Sequence, residues 1–293
     1  MQSIIPESVI EFLNYSAGIL NKKKIKDSRL NAELMLCEVL KCSRVELYLN
    51  FEKPLTNDEV QKFKLLLQRR MKYEPLQYIL GKTNFFGFDI LVNSNVLIPR
   101  QETEILAEKV IDDIKSRKMK EVSLFEIGSG SGCLSIAVAK SLISENIKVQ
   151  IFSIDISDDA VNMSIENLKL NSLDNETVRF YVKDVFEIEK LNKDFDYIIS
   201  NPPYISAEEF KTLDNEVKDF EPAISLTDNA DGLKFYERIF KIASDSSFTG
   251  KVFCEIGFGQ KNAIEKMVVK NNFTKFRFHK DYSNIYRIIE AFK

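Results

Sequence analysis

The chain has 293 residues, 44% hydrophobic and 29% charged, with only 10 glycines and 7 prolines. These fractions are near globular averages and exclude collagen-like, linker-dominated and disordered chains, while the length suits one large or two modest domains. The net charge of −3 divides unevenly: residues 1–73 hold 13 Lys+Arg against 9 Asp+Glu, net +4, and residues 74–293 hold 28 against 35, net −7. The basic front suits an acidic protein surface or nucleic acid, or is simply a solvated lysine-rich face. No run of about 18 uncharged apolar residues occurs. Met1–Glu7 has no basic start leading into an apolar segment, so neither a membrane span nor a secretory signal is expected, and the cytoplasm is the expected compartment. Cys37, Cys42, Cys133 and Cys254 lack the paired spacing of a zinc site, and His279 is the single histidine. No metal is therefore expected, and Ser-His or Cys-His nucleophilic catalysis is disfavoured.

In chain order, residues 1–73 read as a small helical bundle. Val9, Ile10, Leu13, Ala17, Ile19 and Leu20 recur at helical spacing, as do Leu30, Leu34, Met35, Leu36, Val39 and Leu40 after an Asp27-Ser28 cap signal. Thr56 and Glu59 are spaced as a capping box ahead of Phe63, Leu66 and Leu67. Residues 74–99 change character, with Gly81, Asn84 and Gly87 punctuating β-prone runs, and a hairpin linker is expected there. From residue 100 onward the pattern alternates. Helices are expected at 102–118, 132–143, 158–171, 231–245 and 259–271, and strands at 122–127, 148–154, 178–183, 195–200, 251–256, 273–279 and 285–291. Such alternation implies an α/β domain with a parallel sheet covered on both faces. The last two strands lack an intervening helix, so an antiparallel hairpin should close the sheet.

Three segments carry the chemistry. The run Glu126-Ile127-Gly128-Ser129-Gly130-Ser131-Gly132 closes an apolar strand and opens an amphipathic helix, a setting in which glycines let backbone approach a ligand or merely turn tightly against their own sheet. Glu126 adds an acid where a cationic amino-acid group could be held. Asp155, followed by Ile156, ends the next strand 27 residues beyond Gly128 and is placed to accept two ribose hydroxyls; the alternative is that Asp155 or Ser157 caps the following helix. Asp184 ends a third strand; it either accepts an adenine amino group, with Val185 and Phe186 covering the base, or is an acid at a strand-ending turn. Finally, Asn201-Pro202-Pro203-Tyr204 leaves a strand at the end where open α/β sheets bind ligands. Two prolines remove backbone donors and leave carbonyls to accept, so Asn201, Pro202 and the ring of Tyr204 form a slot for a planar amide or aromatic amine; the alternative is a rigid Asn-Pro turn.

These motifs, with Glu74-Pro75-Leu76-Gln77-Tyr78, Ile98-Pro99-Arg100-Gln101-Glu102-Thr103-Glu104, Asp231-Gly232-Leu233 and Glu255-Ile256-Gly257, resemble the HemK/PrmC family of release factor glutamine methyltransferases over nearly the whole chain. The resemblance implies a seven-stranded Rossmann-like class I methyltransferase sheet at 100–293, an N-terminal helical substrate-recognition domain at 1–73 and a β-hairpin linker at 74–99. It implies S-adenosyl-L-methionine as cofactor, bound by Glu126, Ile127, Gly128, Ser129, Gly130, Ser131, Gly132, Asp155, Ile156, Asp184, Val185, Phe186 and Asn201. It also implies class I peptide chain release factors as protein substrates, with no stable nucleic-acid partner, no membrane and no metal. Asn201 and Pro202 would accept the two N–H bonds of the target glutamine, Tyr204 would pack on its amide, and Pro203 would complete the substrate slot.

The sequence departs from the family pattern at Gln101, where proline is usual, at Glu126, where aspartate is usual, and at Asn284, which stands in a glycine's place in the tail. Asparagine tolerates left-handed backbone better than most residues, so the tail turn is expected to survive. Methylation of a ribosomal-protein glutamine or of adenine N6 are rivals for the same slot, the latter disfavoured by the acidic catalytic region. A nicotinamide oxidoreductase would leave Asn201–Tyr204 unused, and a non-catalytic RNA-binding protein is suggested only by the basic front.

Overall fold

The computed structural model describes residues 8–191, 193–245 and 248–293, so the expectation drawn from Met1–Glu7 lies outside the described residues. The chain divides into two units, one of residues 1–81 with 215–220, the other of residues 82–214 with 221–293.

In the first unit the helical spacing of apolar residues becomes α1 (Val9–Lys22), α2 (Ser28–Leu40), α3 (Arg44–Leu49), α4 (Asn57–Arg70) and α5 (Leu76–Leu80). Val9, Leu13, Met35, Leu36 and Phe63 are fully buried together, and Phe12 meets Phe63 edge to face at 6.1 Å. The capping box at α4 forms, with Glu59 accepting the Thr56 N–H at 2.7 Å. At α2 the Asp27 side chain makes no capping bond and its backbone is left-handed, so that cap signal marks the helix start without acting as a cap. A second box, Ser43 with Glu46, opens α3. The unit extends beyond residue 73 because buried Arg70 ties the chain together: it donates to Asn31 at 2.6 Å, to the Glu74 carbonyl at 2.9 Å and to Glu216 at 2.9 Å.

The second unit begins with the hairpin β1 (Lys82–Phe85) and β2 (Phe88–Leu91), turned by Phe86 and Gly87, both at positive φ. Asn167 grips both backbone groups of Leu91, at 2.6 and 2.9 Å, which fixes the hairpin to this unit. Then follow α6 (Gln101–Ser116), β3 (Glu121–Ile127), α7 (Cys133–Ser144), β4 (Lys148–Asp155), α8 (Asp158–Leu170), β5 (Val178–Val182) and β6 (Tyr197–Ser200). The short α9 (Ala207–Phe210) precedes α10 (Asn215–Lys218), which belongs to the first unit. The chain finishes with α11 (Lys234–Asp245), β7 (Lys251–Glu255), α12 (Lys261–Lys270), β8 (Lys275–Lys280) and β9 (Tyr286–Phe292). The strands form one seven-stranded sheet, β5-β4-β3-β6-β7-β9-β8, parallel except for β9, which runs antiparallel to both β7 and β8. The expected antiparallel closure is therefore present. Helix α11 starts at Lys234, later than the pattern suggests, because Asp228 accepts the N–H groups of Ala230, Gly232 and Lys234 and holds the preceding turn.

The sheet order reverses beside β3, and the register brings three strand ends level. Ile127 pairs with Ile154 on one side and Ser200 on the other, so Gly128, Asp155 and Asn201 emerge as neighbours. In the tail, Asn284 adopts φ +66°, Asp281 accepts the N–H of Ile285 at 2.9 Å, and the turn closes.

Candidate active site

A cavity of about 320 Å³ opens over these strand ends. Its wall includes Glu126, Ile127, Gly128, Ser129, Gly130, Ser131, Asp155, Ile156, Asp184, Val185, Phe186, Asn201, Pro202 and Pro203. The structure thus brings together nearly every residue singled out from sequence. Gly132 and Tyr204 do not line it. Gly132 serves packing instead: at φ +78° a Cβ would stand 3.1 Å from both Phe180 and Ser164. Gly128 is the close-approach position, left-handed at φ +83° and donating to the Ile154 carbonyl at 2.8 Å.

The glycine turn is held from behind by polar residues on the buried face of α8. Ser164 donates to the Gly130 carbonyl at 3.0 Å and Asn167 to the Ser131 carbonyl at 2.9 Å. From the front, Asp155 accepts the Gly130 N–H at 2.9 Å and the Ser157 N–H at 3.0 Å, one on each carboxylate oxygen. Asp155 is not the cap of α8; that cap is Ser157, which accepts from Ala160. Burial raises the Asp155 pKa against the opposing pull of these backbone donors. Glu126 is 1% exposed, and burial pushes its carboxyl up to about 7 although Ser135 and Ser153 donate to it. Both hydroxyls reach the same oxygen, Oε2, which leaves Oε1 as the corner available to a cationic group. Ser131 is buried and also lines the cavity beside the glycine turn.

Opposite, Asp184 accepts the Phe186 N–H at 2.8 Å, and Arg238 fastens the Val185 and Phe186 carbonyls at 2.9 and 3.0 Å. Phe186 leans edge-on against Phe235 at 5.3 Å, giving the cavity an aromatic flank. An acid for a cationic amino-acid end, acceptors at two strand ends and an apolar flank fit S-adenosylmethionine.

Asn201 donates its amide N–H to Thr103 Oγ1 at 3.0 Å, Thr103 donates to Glu255 at 2.6 Å, and the Tyr204 hydroxyl donates to the other Glu255 oxygen at 3.1 Å. Burial pushes the Glu255 carboxyl up to about 7 and, with the Glu255 charge beside it, raises the Tyr204 phenol well above its ordinary range. Gln260 fixes the turn beyond: its amide donates to the carbonyls of Tyr204 and Gly232. Sequence reasoning assigned no role to Thr103, Glu255, Ser164, Asn167 or Asp228. Signals existed: Thr103 and Glu255 lie within segments that carry the family resemblance, and polar Ser164 and Asn167 stand three apart on an otherwise apolar helix face. Arg100 and Thr103 also line the cavity, and Arg100 is anchored by Glu221, which also accepts the Ile98 N–H at 3.2 Å. No group of three or more His, Cys, Asp or Glu placed to hold a metal occurs among the described residues, and no helix there is long and apolar enough to cross a membrane.

Comparison with known proteins gives matches over both parts of the chain. Residues 11–81 match the PrmC N-terminal domain and residues 101–218 the methyltransferase small domain. The release factor glutamine methyltransferase of Fusobacterium nucleatum is 39% identical over 291 residues, covering 98% of this chain and 79% of its own. That of Thermodesulfovibrio yellowstonii is 37% identical over 260 residues, covering 88% and 90%. Among solved structures, the N-terminal domain of human METTL16 in complex with SAH superposes with a TM-score of 0.50 at 15% identity, over 76% of this chain and 82% of that one, a likeness of fold alone.

Proposed function

The chain belongs to the release factor glutamine methyltransferase family and is an S-adenosylmethionine-dependent enzyme, and we propose that it methylates the side-chain amide nitrogen of the glutamine in the Gly-Gly-Gln motif of class I peptide chain release factors. The observation that carries this reading is the meeting of Asn201, Pro202 and Pro203 with the glycine turn, Glu126 and Asp155 on one cavity.

S-adenosylmethionine supplies an electrophilic methyl group on a cationic sulfur. An amide nitrogen is a poor nucleophile because its lone pair is delocalised into the carbonyl, so the protein's work is to bind and orient it. Asn201 Oδ1 and the Pro202 carbonyl accept the two N–H bonds of the substrate amide; neither Pro202 nor Pro203 has an N–H to compete. As the nitrogen gains a methyl group it becomes more positive, and these same acceptors then bind it more strongly. The nitrogen gives up one proton, which leaves to solvent. Tyr204, held by Glu255, packs behind the slot. On the cofactor side Glu126 would hold the ammonium group, Asp155 would accept ribose hydroxyls, and Asp184 with Val185 and Phe186 would receive the adenine.

Substrate recognition is assigned in this reading to the helical unit, whose residues 1–73 carry +4 against −7 elsewhere. A substrate that works in translation supports the cytoplasm as the compartment in this reading. Labelled-methyl transfer to a release factor, its Gly-Gly-Gln glutamine variant, a ribosomal protein and DNA, side by side, tests the assignment. Label on the intact release factor alone is expected; label that survives removal of that glutamine, or that appears on the ribosomal protein or DNA instead, overturns it.

A further inference from the structure

We propose that Thr103 and Glu255 are positioning residues for methyl transfer, locking the Asn201 amide with its oxygen toward the substrate. The proposal rests on the reading of Asn201 given above. A threonine hydroxyl has one proton. That of Thr103 is committed to the Glu255 carboxylate at 2.6 Å, so toward Asn201 the same oxygen can only accept. Its partner at 3.0 Å must then be the Asn201 NH₂, and Oδ1, the other corner of the planar amide, is the group left for a substrate donor.

The ordering matters because an asparagine amide is nearly symmetric in shape. Rotated by half a turn it would fit the same space while presenting two N–H bonds to a substrate that itself offers N–H bonds. Glu255 prevents this from two bonds away. Each of its oxygens accepts from one hydroxyl, Thr103 on Oε2 and Tyr204 on Oε1; ionised, the carboxylate can only accept, and the neutral acid keeps the Thr103 bond when its proton sits on the Tyr204 side. Three elements converge to build the relay: the first turn of α6, the end of β6 and the last residue of β7, where Ser200 and Cys254 are paired in register. Glu255 is 1% exposed and Thr103 3%, so solvent does not compete for these bonds.

The test is a set of substitutions in two backgrounds, parent and Asn201→Ala, measuring kcat and KM for a release factor and calorimetric cofactor affinity. Thr103→Val keeps the shape and removes the hydroxyl; it is expected to lower kcat roughly 10- to 100-fold with cofactor affinity within about threefold. Thr103→Ser restores the hydroxyl and is expected to return kcat to within about threefold of the parent. Glu255→Gln is expected to lower kcat similarly, since a glutamine can present N–H to Thr103 and turn its proton toward Asn201. In the Asn201→Ala background Thr103→Val should cost no more than about twofold, because the group it orients is gone. If Thr103→Val does not fold, Glu255→Gln, of nearly equal volume, carries the same comparison. A Thr103→Val enzyme within threefold of the parent, or an equal loss in both backgrounds, overturns the positioning role and leaves the Asn201 reading standing. A full-rate Asn201→Ala enzyme overturns that reading and, with it, this one.

Discussion

Glu126 offers a test that separates cofactor binding from chemistry. Its carboxyl is buried, supported by Ser135 and Ser153 on one oxygen only, and pushed up to about 7. Without a cationic partner it is largely protonated at pH 6, where about nine in ten molecules would carry the neutral acid. Pairing with the cofactor's ammonium requires the carboxylate, so binding must expel that proton. The apparent affinity should then weaken about tenfold per pH unit from pH 6 to 5, while above pH 7 the dependence flattens. Calorimetry at pH 6 in buffers of different ionisation enthalpy should report release of close to one proton per cofactor bound. The Asp155 carboxyl is raised too, so Glu126→Gln is the control: it should weaken binding at pH 7.5 and remove most of the pH dependence below 7. Affinity that is flat from pH 5 to 7, with no proton release, would refute the pairing of Glu126 with the ammonium group.

Asp155→Ala removes acceptors for two backbone N–H groups of the site as well as for the ribose, and should weaken cofactor binding by about 1–3 kcal/mol in calorimetry; unchanged affinity would remove Asp155 from the site. Removing residues 1–81 should leave cofactor affinity within about threefold and slow methylation of intact release factor at least about tenfold, as expected when a docking module is lost; an equal rate would show that the helical unit does not select the substrate. At the opposite end of the strands, burial works against ionised Glu290, yet His279 at 3.0 Å and Lys251 at 2.8 Å hold its carboxyl down at about 2. A depressed carboxylate contributes stability that is present above its ordinary value of 4.5 and fades as pH falls toward 2, so Glu290→Gln should cost about 3 kcal/mol in urea unfolding at pH 7, with the difference shrinking below pH 4.5. A loss that does not vary with pH would assign the effect to packing.

Much of the site was legible because its parts are contiguous in sequence and sit at strand ends. The glycine turn, Asp155, Asp184 and Asn201–Pro203 each announce themselves within a few residues, and parallel pairing in register then brings them together. The supporting residues were hidden for the opposite reason. Thr103 and Glu255 lie 152 positions apart, and Arg70 and Glu216 146 apart, so nothing local marks them as partners. The passage of residues 215–220 into the helical unit escaped the sequence on the same ground. Helix α3 escaped because six residues are too few to show periodicity, although its Ser43 and Glu46 box is visible in hindsight. Asn284 illustrates a departure that backbone physics anticipated: it takes the left-handed conformation a glycine would, at φ +66°.

The central claim is that the Asn201 slot holds the nitrogen that is methylated, and single-turnover kinetics of a folded Asn201→Ala enzyme with saturating cofactor test it most directly. Losing a preorganised acceptor that strengthens as charge develops should slow transfer to a release factor roughly 100- to 1000-fold while calorimetric cofactor affinity stays close to the parent's. Transfer within threefold of the parent rate, in an enzyme that still binds cofactor, would contradict the account.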